Sequence, residues 1–105
     1  MSQDKFSSLK LNDSLLKNLD SLKYHSMTSI QAQSLPHILA GKDVIAQGKT
    51  GSGKTAAFGL GLISKLNLEL FQIQALVLCP TRELADQVTK ALRQLARTTP
   101  NVKIL

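Results

Sequence analysis

The residues most able to do chemistry stand at positions 48–55, Gly-Lys-Thr-Gly-Ser-Gly-Lys-Thr, just after the run Asp43-Val44-Ile45-Ala46. They fit the pattern G-x-x-x-x-G-K-[ST] through Gly48, Gly53, Lys54 and Thr55. Glycines let a backbone turn so that successive N–H groups point inward, and a following helix adds its unpaired N-terminal donors to the same anion. Lys49, Thr50, Gly51 and Ser52 lie inside the loop, where backbone groups matter more than side chains. In this pattern Lys54 reaches the β- and γ-phosphates of a nucleotide, and the Thr55 hydroxyl coordinates Mg²⁺. The stretch reads as a nucleotide phosphate site, and by itself it does not choose ATP over GTP.

The elements that must position this loop follow from spacing. Asn12 or Asp13 can cap a short helix with the stripe Leu15, Leu16, Leu19 and Leu22. Tyr24 to Thr28 is a connector. Thr28 stands three residues before Gln31, a capping-box spacing, for a helix that runs to Ala40 with Gly41 as its stop. Pro36 falls inside that helix and is expected to bend it. Val44 to Ala46 reads as a strand, and Lys54 to about Leu66 as a helix. Ala75 to Cys79 is continuously apolar, as a strand covered on both faces should be. Pro80 ends it. From Thr81 a helix is expected to bury Leu84, Val88, Leu92 and Leu95. Val102 to Leu105 looks like the opening of a third strand. This alternation predicts an α/β fold with a parallel sheet and right-handed crossovers.

Composition narrows the classes. The 105 residues suit one small domain, 43% are hydrophobic, and six Gly with three Pro argue against disorder. A net charge of +6 suits a polyanionic or phosphorylated partner, and solubilising surface charge would serve equally. The single cysteine, Cys79, has no disulfide partner and sits in an apolar run, which predicts a buried reduced thiol and a cytoplasmic protein. No apolar window approaches the length of a membrane span, so no membrane partner is expected.

Two stretches flank the loop, Tyr24-His25-Ser26-Met27-Thr28-Ser29-Ile30-Gln31 before it and Pro80-Thr81-Arg82-Glu83-Leu84-Ala85 after it. With the loop they resemble, in order and spacing, three motifs of the DEAD-box ATP-dependent RNA helicases, with a likeness to bacterial members directed at ribosomal RNA. The resemblance covers nearly the whole chain. It implies an incomplete RecA-like P-loop domain over residues 1–105, parallel strands with flanking helices, using ATP and Mg²⁺. It implies that Gln31 reads the adenine edge, that Phe6 stacks on the ring, and that Tyr24 and Thr28 line the same pocket. A side-chain amide both donates and accepts, as that edge demands. A solvated Gln on a helix and a Phe6 that merely anchors the N-terminus are the plainer readings of those two residues. Pro80, Thr81 and Arg82 correspond to a motif that touches the RNA sugar-phosphate backbone, with Thr81 a good N-cap. Glu83 is an organiser of that loop.

The sequence departs from the family pattern in three places. Gly48 replaces a common alanine, Lys23 a frequent glycine, and Ser29 a proline that would pre-order the first helical turn. No carboxylate is assigned a catalytic role, since Glu69 lies between two apolar segments without a neighbouring acid. The chain is therefore expected to be an N-terminal piece of an RNA helicase, inactive alone. Because the family places further strands between the loop strand and the 75–79 strand, apolar edges are expected to be exposed, and a dimer or other homo-oligomer to form. Another P-loop ATPase, or a truncated non-catalytic protein that binds nucleotide or RNA and self-associates, are the alternatives.

Overall fold

The computed structural model describes residues 5–49, 51 and 53–105. After a 3₁₀ turn at Phe6–Ser8 come four helices: α1 (Asp13–Ser21), α2 (Ser29–Leu39), α3 (Lys54–Ser64) and α4 (Arg82–Leu95). Local chemistry sets most of their ends. Asn12 caps α1, its side chain accepting from the Leu15 N–H at 2.8 Å. Thr28 caps α2 in a full capping box with Gln31. Thr81 caps α4 by accepting from the Leu84 N–H at 3.1 Å. Pro36 does not end α2, which runs on to Leu39.

Two helices end in the same way with different residues. After α2, Gly41 takes φ +86°, with Gly41 N–H donating to the Ile38 carbonyl and Lys42 N–H to that of His37. After α1, Lys23 takes φ +67°, with Lys23 N–H donating to the Asp20 carbonyl and Tyr24 N–H to that of Leu19. Both are Schellman ends, and the left-handed residue in them favours glycine. This is a physical reason for the glycine that the family pattern leads one to expect where Lys23 stands. Lys23→Gly should therefore stabilise the chain, by about 1 kcal/mol at most, since a left-handed non-glycine costs about 1–2 kcal/mol and glycine's unfolded-state entropy returns part of it. A melting temperature raised by about 3–6 °C is expected; an unchanged or lower value would show that the strain is absorbed elsewhere.

The core is helix on helix. α3 lies between α2 and α4, and α1 docks on α4. Leu15, Leu19, Leu35, Leu60, Ile63 and Leu95 are buried together. Two glycines of α3 permit the close approach. A Cβ on Gly59 would stand 2.8 Å from Leu92 Cδ2 and 2.9 Å from Leu95 Cδ1, and one on Gly61 would collide with Ile38.

The expected α/β fold is not what forms. Among the described residues there is no strand, and the architecture is all-helical with extended connections. The stretches 44–46, 75–79 and 102–105 take part in no backbone–backbone hydrogen bond among the described residues. Without a ladder partner a β-leaning run stays an extended segment. Its pleat nevertheless survives: Val77 and Cys79 turn towards the helices, whereas Leu76 and Leu78 are 78% and 84% exposed. The expectation of a strand covered on both faces fails for that reason, and Cys79 is half-buried, not enclosed. Leu84, expected in the core, is exposed in the first turn of α4, while Val88, Leu92 and Leu95 are buried.

Candidate nucleotide and RNA site

The phosphate loop and Gln31 lie where two helices begin, α2 and α3. α3 starts directly after Gly53, whose φ is +92° and which offers no side-chain cap. The first N–H groups of α3 are thus left to face the loop. Lys54, the first helical residue, folds back across the loop, and its Nζ donates to the Gly48 carbonyl at 2.6 Å. Lys49 and Gly51 are exposed, and Gly48, Gly53 and Thr55 are partly exposed. Thr50 and Ser52 lie outside the described residues. The helix start and the two lysines are all positive, which fits an anion and opposes a cation. Among the described residues no group of three His, Cys, Asp or Glu could hold a metal ion.

Gln31 joins α2 to this loop. Its side chain is 1% exposed, its Oε1 accepts from the Thr28 N–H at 2.9 Å, and its Nε2 donates to the Gly53 carbonyl at 3.1 Å. The Gln31 N–H donates in turn to Thr28 Oγ1 at 3.4 Å. The amide therefore serves two helices at once. A trans peptide sets its N–H opposite its carbonyl. Pinning the Gly53 carbonyl to Gln31 turns the Lys54 N–H away from α2. The solvated-glutamine reading does not hold for Gln31, because the side chain is buried and bonded at both ends.

Phe6 and Tyr24 meet edge to face, with ring centroids 6.1 Å apart and planes at 79°. Phe6 is 3% exposed and belongs to the core, while Tyr24 is 37% exposed. With Leu16, Leu19, Asp20 and His25 they line a small cleft beside the N-terminal turn. His25 Nδ1 stands 3.2 Å from Asp20 Oδ1 at its exposed rim. Phe6 thus anchors the N-terminus in this conformation.

Pro80, Thr81 and Arg82 are exposed at the start of α4, with Arg82 as its first residue. Among the described residues no ion pair involves Arg82, and Glu83 is also exposed. The structure joins Thr28, Gln31 and Gly53 through direct bonds and Lys54 to Gly48, while Thr81 bonds to Leu84 and Ala85 in the first turn of α4.

Sequence reasoning missed Asn18, which is 1% exposed and binds residues 94, 95 and 97. A polar residue inside the Leu15–Leu19 stripe was its only signal.

Comparison with known proteins places the chain. The DEAD/DEAH box helicase family model matches residues 28–105, so the chain belongs to this family. It is 68% identical over 90 residues to the ATP-dependent RNA helicase DbpA of Escherichia coli strain K12, covering 86% of this chain and 20% of that protein. It is 46% identical over 92 residues to the DEAD-box ATP-dependent RNA helicase CshA of Bacillus subtilis strain 168, covering 88% of this chain and 19% of that protein. The chain spans about a fifth of the length of these relatives. Among solved structures, a DEAD box protein from the hyperthermophile Methanococcus jannaschii matches with TM-score 0.89 at 37% identity, over 95% of this chain and 27% of that one. Saccharomyces cerevisiae Dbp5 bound to RNA and ADP BeF3 matches with TM-score 0.81 at 33% identity, over 91% and 25%.

Proposed function

We propose that residues 1–105 form part of the N-terminal helicase domain of an ATP-dependent RNA helicase, supplying its adenine-nucleotide contacts and one RNA backbone contact. The observation that carries this reading is the buried Gln31 amide, bonded to the Gly53 carbonyl beside Lys54. Base recognition and phosphate binding then share one structural joint. Gln31 presents its remaining amide capacity to adenine beside Thr28, and Tyr24, the exposed ring of the Phe6–Tyr24 pair, offers the stacking face. Gly48 to Gly53 and the start of α3 hold the phosphates, Lys54 neutralises them, and Thr55 faces Mg²⁺. When bound, ATP and Mg²⁺ supply the phosphoryl-transfer chemistry.

Arg82 at the start of α4 meets RNA phosphates, with Pro80 and Thr81 shaping the turn, a contact of the kind that salt weakens and that carries little sequence preference. Ribosomal RNA is the substrate that the motif resemblance suggests, and a cytoplasmic protein is consistent with that role. No helix among the described residues is long and apolar enough to cross a membrane.

Gln31→Leu tests the adenine half. The substitution keeps apolar volume but removes the partner of the Gly53 carbonyl, which costs about 1–3 kcal/mol for the group left without a bond. ATP affinity should fall about tenfold, and preference for ATP over GTP should vanish. Retained preference would mean that another residue reads the base.

The exposed apolar segments favour self-association. Ile45, Leu76, Leu78 and Leu105 face outwards on unpaired extended backbone. Light scattering over a dilution series should report a mass above the 11.4 kDa of one chain; a constant monomer mass would contradict it.

A further inference from the structure

Phe6, in the 3₁₀ turn, and Tyr24, just past the end of α1, line one cleft with Leu16 and Leu19 of α1, whereas the phosphate loop leads into α3. A nucleotide that uses both needs them at one fixed separation. Residues 25 and 26, on the direct path from Tyr24 to α2, are exposed. α1 shares the leucine core with α2 and α3, and the helix it docks on is α4.

Asn18 is the joint of that docking. Its Nδ2 donates to the Gln94 carbonyl at 2.8 Å and to the Leu95 carbonyl at 3.0 Å, at the end of α4. Its Oδ1 accepts from Arg97 Nη2 at 3.0 Å, and Arg97 Nη2 also donates to Ser21 Oγ at 2.7 Å. Ser14 and Thr98 exchange hydroxyl-to-carbonyl bonds at 3.2 and 3.1 Å alongside. A buried amide is costly unless complete, and once complete it admits one arrangement. Leucine in the same stripe would pack α1 on α4 without fixing its register.

From Leu95 the path continues without a gap. Its carbonyl is held by Asn18, and its side chain sits against Gly59 of α3, where a Cβ would stand 2.9 Å from Leu95 Cδ1. α3 begins at Lys54. At the other end of α1, the Schellman bonds from Lys23 and Tyr24 to Asp20 and Leu19 fix Tyr24 against the same helix.

We infer that Asn18 is a positioning residue for nucleotide binding: by fixing α1 to the end of α4 it holds the Phe6–Tyr24 pair in register with the phosphate loop. This rests on the adenine-nucleotide reading above. The role is indirect, because Asn18 touches neither the loop nor the ring pair.

The chain has one Tyr and no Trp, so its intrinsic fluorescence reports Tyr24 alone. In Asn18→Leu the acrylamide quenching of Tyr24 should rise while far-UV helicity is kept. ATP affinity should fall about fivefold or more, with affinity for inorganic tripolyphosphate unchanged within about twofold. Equal losses for both ligands, or an unchanged ratio, would overturn the inference. Should Asn18→Leu fail to fold, Arg97→Ala removes one arm of the network and should move the same two readouts in the same direction by less; no movement overturns it. Should no chain bind nucleotide, the proposed function fails by itself. Tyr24 quenching in the ligand-free chains still decides the positioning claim, and unchanged quenching sinks it.

Discussion

Lys54→Ala should abolish measurable ATP and ADP binding while leaving the fold intact. The ammonium lies over the loop, 2.6 Å from the Gly48 carbonyl, and its side chain is exposed. Its removal therefore takes little from the folded state, and exposed substitutions of this kind stay within about 0.5 kcal/mol. A melting temperature within about 3 °C of the parent chain is expected. Binding is another matter, because a hydrogen bond to a charged group contributes about 1.5–3 kcal/mol and Lys54 serves two phosphates in the proposed site. Affinity should fall about a hundredfold or more. Fluorescence titration beside thermal melts separates the two effects. Unchanged affinity would remove the loop from the site.

Gly53→Ala should damage stability and binding together, which distinguishes it from Lys54→Ala. At φ +92° an alanine is strained by about 1–2 kcal/mol. The added Cβ would also run into the Gln31 amide and stand 3.0 Å from Thr28 Oγ1. Because both neighbours are locked in the capping box, they have little room to withdraw. Moving Gln31 forfeits a buried bond, about another 1–3 kcal/mol. A drop in melting temperature of about 10 °C or more is expected, with ATP affinity down about tenfold. A variant as stable as the parent would mean that the Gln31–Gly53 joint is not rigid.

How much of this was readable in the residues depends on distance along the chain. Asn12, Thr28 with Gln31, Gly41 and Thr81 act on partners within four positions, so the starts of α1, α2 and α4 and the stop after α2 were legible, whereas α3 ends at Ser64, short of the expected Leu66. The 75–79 run was just as legible as a continuously apolar, β-leaning stretch, yet no strand forms there, because a ladder needs a second backbone and local propensity cannot supply one. Lys23 stood out as a departure from glycine, but only its backbone angle explains why glycine is preferred. The loop residues Gly48, Gly53 and Lys54 were evident from spacing. The bond from Gln31 to Gly53, between residues far apart in the chain, was not. Asn18 was invisible for the same reason: its partners lie beyond residue 93, and a polar residue in a leucine stripe does not announce what it binds.

The central claim is that Gln31, Gly53, Lys54 and Thr55 form one adenine-nucleotide site. Residue-resolved NMR of the isotopically labelled chain during an ATP titration tests it most directly. The Gln31 side-chain amide and the backbone amides of Lys54 and Thr55 should shift together along one binding curve, and tripolyphosphate should move Lys54 and Thr55 but leave the Gln31 side chain largely in place. If ATP shifts the loop amides while Gln31 stays silent, or shifts none of them, the account is wrong.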